Sequence, residues 1–379
     1  MILPGATLGL LGGGQLGRMF TAVARTRGYE VLVLDPDPSS PAAQFASAHL
    51  CAPYEDEAAI SELGVRSAAV TIEFENVPAT VLERLAQRCV VRPGAATVAI
   101  CQGRVDEKGF LSANGFPVAP WAPVRSAADL ELAVQRVGLP ALLKLDRLGY
   151  DGKGQAVVAD LDEARAAFAV FGGQPCILER RIDLAAEVSV VLARGADGAV
   201  APFPVAENRH RNGILDLSVA PAEVRPELAA AATRTACAIA AALDYVGVIG
   251  VEFFIDTDGR LLVNELAPRP HNSGHYTLDA CLTSQFEQQL RALCGMPLGD
   301  PAQVRAAAMV NILGDAWRGG EPRWSEVLGE PDARLHLYGK REPRPGRKMG
   351  HYTCLADTPE RARELAGRLR DALTAPVSP

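Results

Sequence analysis

The sequence predicts an α/β unit in the first third of the chain and α+β units beyond it, and three observations carry that prediction. A glycine-rich loop, Gly12-Gly13-Gly14-Gln15-Leu16-Gly17, follows a short apolar run near the start. Strand-like and helix-like periodicities alternate around it. From Pro117 onward the pattern changes to short apolar runs punctuated by proline and glycine.

Residues 7–11 read as a buried strand. Leu16, Met19, Phe20 and Val23 then fall at the i, i+3, i+4, i+7 spacing of an amphipathic helix that Gly28 can end, and residues 30–35 supply the next strand. Strand-like runs at 68–72 and 89–91 extend this unit, giving a Rossmann-like parallel sheet assigned to residues 1–105. Prolines 117, 120 and 123 open a small α+β lobe, 106–186, with apolar runs at 141–145, 155–159 and 176–179 and a helix near 162–171. A third unit, 187–379, begins with the run 187–193. It carries an alanine-rich helix near 227–243, strands at 248–256 and 260–266, then short strands and a last helix at 359–373.

At 379 residues and 40.1 kDa the chain is long enough for two or three domains, since single cores seldom grow beyond about 250–300 residues. A net charge of −7 argues against a general nucleic-acid binder, so anionic ligands must meet local clusters of basic groups. The eight cysteines are scattered without a C-x-x-C pair, which suits reduced thiols in the cytoplasm. The start MILPGATLG lacks the basic stretch of a signal peptide, and the longest apolar tract is broken by Asp244 and Glu252, so no membrane partner is expected.

Gly12, Gly14 and Gly17 satisfy G-x-G-x-x-G, and Asp35 closes the following strand, so the opening alone suggests a nicotinamide dinucleotide site. The segment GVEFFIDTDGRLLVNELAPRPHNSGH, 250–275, points elsewhere. Two apolar strands flank Asp258-Gly259, a pair suited to a two-residue type I′ turn. That turn, or a four-residue turn centred on the same pair, sets Glu252 opposite Glu265. Like charges so placed destabilise a sheet unless a cation lies between them, and Mg²⁺ prefers oxygen ligands of this kind. Asn264 belongs to the other face of an ideal strand but near the strand end can twist toward the pair.

In the segment 139–159, Lys144 interrupts an apolar strand and precedes Gly149-Tyr150-Asp151-Gly152-Lys153-Gly154-Gln155. Glycines there let backbone N–H groups converge on phosphate oxygens, with Lys144 and Lys153 as point charges. Further on, Glu179 with the backbone after it suits an adenine edge, and Glu187 suits ribose hydroxyls.

Taken in order, the Lys144 strand, G-Y-D-G-K-G-Q, E-R-R-I and V-E-F-F…N-E resemble the ATP-grasp superfamily. GGGQLGRM, TIEFENVP (71–78), PVAENRHRNGIL (204–215), NELAPRPHNSGH (264–275) and GRKMGH (346–351) narrow the match to the 5-(carboxyamino)imidazole ribonucleotide synthases, over nearly the whole chain. The resemblance implies an ATP-grasp fold with an N-terminal Rossmann-like (preATP-grasp) parallel-sheet domain, a small α+β lid lobe and a C-terminal α+β domain ending in a small β subdomain. It implies ATP- and Mg²⁺-dependent carboxylation of 5-aminoimidazole ribonucleotide with bicarbonate through carboxyphosphate, in the cytoplasm and as a homodimer.

By the same resemblance, Glu252 and Glu265 hold magnesium. Arg104, Lys144, the loop Gly149 to Gln155, the hinge Glu179, Arg180, Arg181 and Ile182, then Glu187, His210, Asn264 and Glu265 bind ATP, with His210 placed in a polar loop. The helix starting at Gln15 offers the N–H groups of Gly14, Gln15 and Leu16 to the substrate's 5′-phosphate. Glu73 takes the ribose, and Asn272, Lys340, Arg347 and Lys348 supply the rest of the substrate site. Catalysis falls to Tyr150 and Asp151, which orient the amine, Asp151 also as proton acceptor, with Lys153 and Lys348 neutralising phosphate and bicarbonate charge. Three rivals remain: a formate-dependent glycinamide ribonucleotide formylase of the same superfamily, a nicotinamide oxidoreductase, and a catalytically silent nucleotide sensor.

Overall fold

The computed structural model describes residues 1–147, 149 and 154–374. Among these residues the strands form three sheets. In the first, β1 (Thr7–Leu11), β2 (Glu30–Leu34), β3 (Ala48–Leu50), β4 (Ala69–Ile72) and β5 (Val90–Val91) lie in the order β3-β2-β1-β4-β5, every pair parallel. The central strands are largely apolar because both faces are covered. On one face the helix Gln15–Thr26 buries Leu16, Met19 and Phe20 against Phe286, Leu290 and Leu293 of the helix Gln285–Cys294, so a late segment of the chain clamps the first domain.

The second sheet contains β6 (Trp121–Val124), β7 (Ala141–Leu145), β8 (Gln155–Val158) and β9 (Cys176–Arg180), antiparallel in the order β6-β9-β7-β8. Helices Asp129–Val137 and Leu161–Val170 cover it with Leu130, Ala133, Val137, Ala164 and Phe168. Strand β6 escaped the sequence reading because Pro123 sits inside it, and its place at the sheet edge is where a strand tolerates proline.

The third sheet holds β10 (Leu184–Arg194), β11 (Val200–Pro202), β12 (Ala206–Arg211), β13 (Ile214–Ala220), β14 (Gly247–Asp256), β15 (Leu261–Ala267), β16 (Ala306–Leu313), β17 (Ala333–Leu337) and β18 (Lys348–Ala356). Its order is β15-β14-β10-β12-β13-β16-β18-β17, with β11 also pairing β10. The C-terminal strands therefore extend the large sheet through the β13–β16 pairing rather than building a sheet of their own. The alanine-rich helix Pro226–Ala242 packs Ala232, Ala236, Ile239 and Ala240 on this sheet, and the helix Arg104–Ala113 adds Leu111 to the same core. That second helix thereby carries Arg104, Glu107 and Lys108 up against the β14–β15 hairpin.

Candidate active site

Glu252 and Glu265 are direct cross-strand partners, as the sequence predicts, but by a different route. The turn is not the two-residue loop. Asp256 N–H bonds to Arg260 O at 3.0 Å, leaving Thr257, Asp258 and Gly259 as a three-residue loop with Gly259 at φ +79°. Up to Phe253↔Val263 the register is one residue out from the expected pairing, and a bulge at Asn264 restores it at Glu252↔Glu265. The bulge also turns Asn264 toward the acids: its Nδ2 lies 3.5 Å from Glu252 Oε2.

The neighbourhood compensates for the like charges. Arg104 Nη1 lies 3.4 Å from Glu265 Oε2, and its Nη2 donates to Gly149 O at 3.1 Å. His271 Nε2 lies 3.2 Å from Glu252 Oε1. Burial alone would raise the Glu252 carboxyl; the contacts with His271, His210 and Asn264 reverse this and hold it at about 2. An ionised carboxylate opposite a second carboxylate, with an amide beside them, is a hard oxygen donor set that fits Mg²⁺.

Beneath the hairpin lies a charged cluster that the sequence reading missed in part. Lys144 Nζ bonds Glu179 Oε2 at 3.0 Å, and Lys108 Nζ lies 3.9 Å from the same oxygen while donating to Asn264 O at 2.6 Å. All three side chains are buried. Glu179 Oε2 is thus the counter-ion of two lysines, which overcome the cost of burial and hold the carboxyl at about 2, while Oε1 is buried without a hydrogen-bond partner among the described residues. Lys108 ties this ion cluster to the bulge. It sits one helical turn after Arg104, a spacing that could have flagged it. Its neighbour Glu107 accepts from Leu266 N–H at 2.9 Å, and burial pushes its carboxyl up to about 8.

His210 lies on β12 and not in a loop. The missed signal was Asn212-Gly213, whose positive φ angles of 53° and 76° make a two-residue turn joining β12 to β13. The strand setting brings His210 Nδ1 to 2.6 Å from Glu187 Oε2, and this contact raises the imidazole pKa against the opposing effect of burial. Elsewhere in the nucleotide set, Gln155 pairs with Lys144 across β7–β8, and Gly154 adopts φ +70°. Arg180 and Arg181 are exposed, with their backbone N–H groups bonded to Pro120 O and Pro140 O, and Ile182 is half-buried. Tyr150, Asp151, Gly152 and Lys153 lie outside the described residues.

The glycine loop holds a carboxylate of the chain itself. Gly14 and Gly17 N–H donate to Glu73, and a Cβ on Gly12 or Gly14 would lie 2.4 Å from Glu73 atoms. Gly14 N–H is therefore not available to a substrate phosphate as expected. Gln15 and Leu16 keep first-turn amides without an intrahelical acceptor. Asp35, the acid a dinucleotide would need, instead accepts from Gly13 N–H at 2.7 Å and Tyr54 Oη–H at 2.8 Å. These two carboxylates remove the physical basis for the nicotinamide reading.

The C-terminal strands deliver the basic groups. Lys340 Nζ donates to Gln15 Oε1 at 2.7 Å and to Lys348 O at 2.8 Å, seaming the last domain to the glycine loop. Asn272 has both amide atoms buried without a hydrogen-bond partner among the described residues, as a ligand-facing side chain would. One cleft of about 520 Å³ is lined by Gln15, Glu73, Asn272 and Lys348 of the substrate set expected from the sequence and by Lys144, Glu187, His210, Glu252 and Glu265 of the expected nucleotide and metal set. Arg347 does not line it: the guanidinium donates to Glu342 O at 3.0 Å.

Comparisons with known proteins agree with this geometry. Residues 5–102 match the ribonucleotide synthetase preATP-grasp domain, 109–286 the ATP-grasp domain and 307–365 the phosphoribosylaminoimidazole carboxylase C-terminal domain. The N5-carboxyaminoimidazole ribonucleotide synthase of Brucella melitensis biotype 1 is 47% identical over 352 residues, 92% of this chain and 96% of that one. The enzyme of the same name from Bacillus subtilis is 44% identical over 355 residues, covering 94% and 93%. The Staphylococcus aureus N5-carboxyaminoimidazole synthetase complexed with ADP superposes with a TM-score of 0.92 at 35% identity, covering 97% and 98%. The Aspergillus clavatus enzyme in complex with ADP and 5-aminoimidazole ribonucleotide gives 0.89 at 31%, covering 97% and 98%. With the three domain matches in chain order and such likeness along nearly its whole length, the chain belongs to the N5-carboxyaminoimidazole ribonucleotide synthase family of ATP-grasp ligases.

Proposed function

We propose that this protein carboxylates the exocyclic amine of 5-aminoimidazole ribonucleotide, using ATP and bicarbonate, in the cytoplasm and as a homodimer. Bicarbonate oxygen attacks the γ-phosphorus, ADP leaves, and carboxyphosphate forms. The amine then attacks the carboxyl carbon, the C–O bond to phosphate breaks, and the amine gives up a proton. The observation that carries this reading is the continuity of the cleft, whose volume lies in the range of small-ligand sites and whose two ends carry the two sets of residues. The formylase rival is not favoured: the Brucella melitensis and Bacillus subtilis relatives carry the synthase name.

Glu252 and Glu265, with Asn264 beside them, would hold Mg²⁺, which when bound neutralises the charge of the nucleotide phosphates. Lys144, oriented by Glu179, places an ammonium in the same cleft, where phosphoryl transfer needs positioning and charge more than covalent help. His210 and Glu187, paired at the rim, suit the nucleoside. At the other end Gln15 and Leu16 amides take the 5′-phosphate, Glu73 the ribose, and Lys348 the bicarbonate. Asp151 as proton acceptor, and Tyr150 and Lys153 beside it, rest on the resemblance. Offering the enzyme and MgATP aminoimidazole ribonucleotide with ¹³C-bicarbonate, or glycinamide ribonucleotide with formate, separates the two readings. Labelled N-carboxy nucleotide is expected from the first mixture; phosphate release confined to the second would overturn the proposal.

A further inference from the structure

We propose that Ser218, Asn208, Ser189 and Ser273 form a buried, one-directional hydrogen-bond relay that positions His271, fixing its ring so that Nε2–H is the donor to Glu252. The chain of contacts crosses three strands and the turn Asn272–Gly274. Ser218 Oγ donates to Asn208 Oδ1 at 2.8 Å, Asn208 Nδ2 to Ser189 Oγ at 2.9 Å, and Ser189 Oγ to Ser273 Oγ at 2.7 Å. Ser273 Oγ lies 2.7 Å from His271 Nδ1, and His271 Nε2 lies 3.2 Å from Glu252 Oε1. Ser218 and Ser273 are 0% exposed, Ser189 1%, Asn208 5% and His271 7%, so bulk water has little access to these links.

A hydroxyl has one proton to give, so the relay has two self-consistent directions, and the amide orientation of Asn208 is chosen with them. In one, every group donates toward His271 and Nδ1 is a bare lone pair. In the other, every group donates away and Nδ1 carries the proton. Two contacts select the first. The backbone N–H of Ser273 points at Nδ1 from 3.4 Å, which a protonated Nδ1 would oppose. At the other side of the ring Glu252, when ionised, offers only acceptor oxygens, so Nε2 must hold a proton.

The consequence falls on the acid. Its Oε1 is engaged by the imidazole, so Oε2, near the Asn264 amide, is the oxygen left to face the cleft. Such outer partners commonly set the orientation and basicity of ligating groups. This consequence, unlike the relay, rests on reading Glu252 as a cation ligand.

The relay is tested without turnover by long-range ¹H–¹⁵N correlation of the histidine rings in the full-length protein, with His271→Gln identifying the resonances. The expected wild-type pattern is a protonated Nε2 and an unprotonated Nδ1. Because Glu252 keeps the proton on Nε2, Ser189→Ala should leave the tautomer as it is and weaken the hydrogen bond from the Ser273 hydroxyl to Nδ1, moving the Nδ1 ¹⁵N resonance toward that of a bare lone pair; Ser189→Cys, a weaker donor of similar size, should fall between. A wild-type ring protonated at Nδ1, or an Nδ1 resonance unmoved in Ser189→Ala, would overturn the relay. Separately, the Mg²⁺ concentration giving half-maximal ADP formation should rise about 10-fold in Ser189→Ala, at the lower end for outer-sphere changes. A moved Nδ1 resonance with an unaltered Mg²⁺ requirement would leave the relay standing and remove its effect on the cation site.

Discussion

Replacing Glu179 by Gln removes the carboxylate shared by Lys108 and Lys144 while keeping its shape. Burial opposes ionisation of Glu179, and Lys108 and then Lys144 more than offset it, bringing the group from 4.5 to about 2. At about 1.4 kcal/mol per pH unit, that preference for the ionised form corresponds to about 3 kcal/mol. An independent route gives the same size: breaking a buried ion pair by deleting one partner costs ~3–5 kcal/mol. The contribution is complete above the unfolded value of 4.5 and is lost as pH falls toward about 2. Wild type and Glu179→Gln should therefore differ most near neutrality and converge in acid. By scanning fluorimetry at pH 7 the transition should drop by about 5–10 °C, since ~1 kcal/mol moves a mid-sized domain by about 2–4 °C. The KM for ATP should rise as well, because Lys144 loses its orienting partner. A melting temperature within about 1 °C of wild type together with an unchanged KM would refute the reasoning.

Other perturbations probe other parts of the cleft. Glu265→Gln should keep the melting temperature, because the side chain is 40% exposed, while lowering kcat by about 100-fold or more by weakening the cation site; near-normal turnover would remove the hairpin from the mechanism. Gly14→Ala places a methyl 2.4 Å from Glu73 Oε1 at the helix N-terminus, so the KM for the ribonucleotide should climb while that for ATP stays, as steady-state titrations can check. His210 has a raised pKa through Glu187, so its charged form persists below that value and is lost as pH rises through it. The KM for ATP should thus increase on the alkaline side, and His210→Gln should flatten that profile.

Much of the architecture was legible because periodicity and glycine chemistry are local. The βαβ opening, the alanine-rich helix and the last helix need only the hydrophobic pattern of their own residues. The hairpin shows the limit: Glu252 does face Glu265, yet the short loop and the bulge that produce this register compensate each other, and no pattern in the strand announces a bulge at Asn264. His210 was misplaced although Asn212-Gly213 marked the turn, because E-N-R-H-R lacks the apolar alternation by which strands are recognised. The partners of Lys108 and of the serine relay were hidden for another reason. They lie up to 156 residues away in sequence, and although the spacing from Arg104 marks the helix face of Lys108, no local spacing names a partner so distant. The glycine fingerprint reads as a phosphate loop, and what no local pattern discloses is that its Gly14 and Gly17 N–H groups hold the Glu73 carboxylate.

In the proposed reaction ATP activates bicarbonate in this cleft before the amine is carboxylated. Bicarbonate labelled with ¹⁸O, incubated with MgATP, aminoimidazole ribonucleotide and the enzyme, follows the oxygen that bridges carbon and phosphorus. One labelled oxygen in each phosphate released is the predicted result; phosphate free of label, alongside normal formation of the N-carboxy nucleotide, would contradict the account.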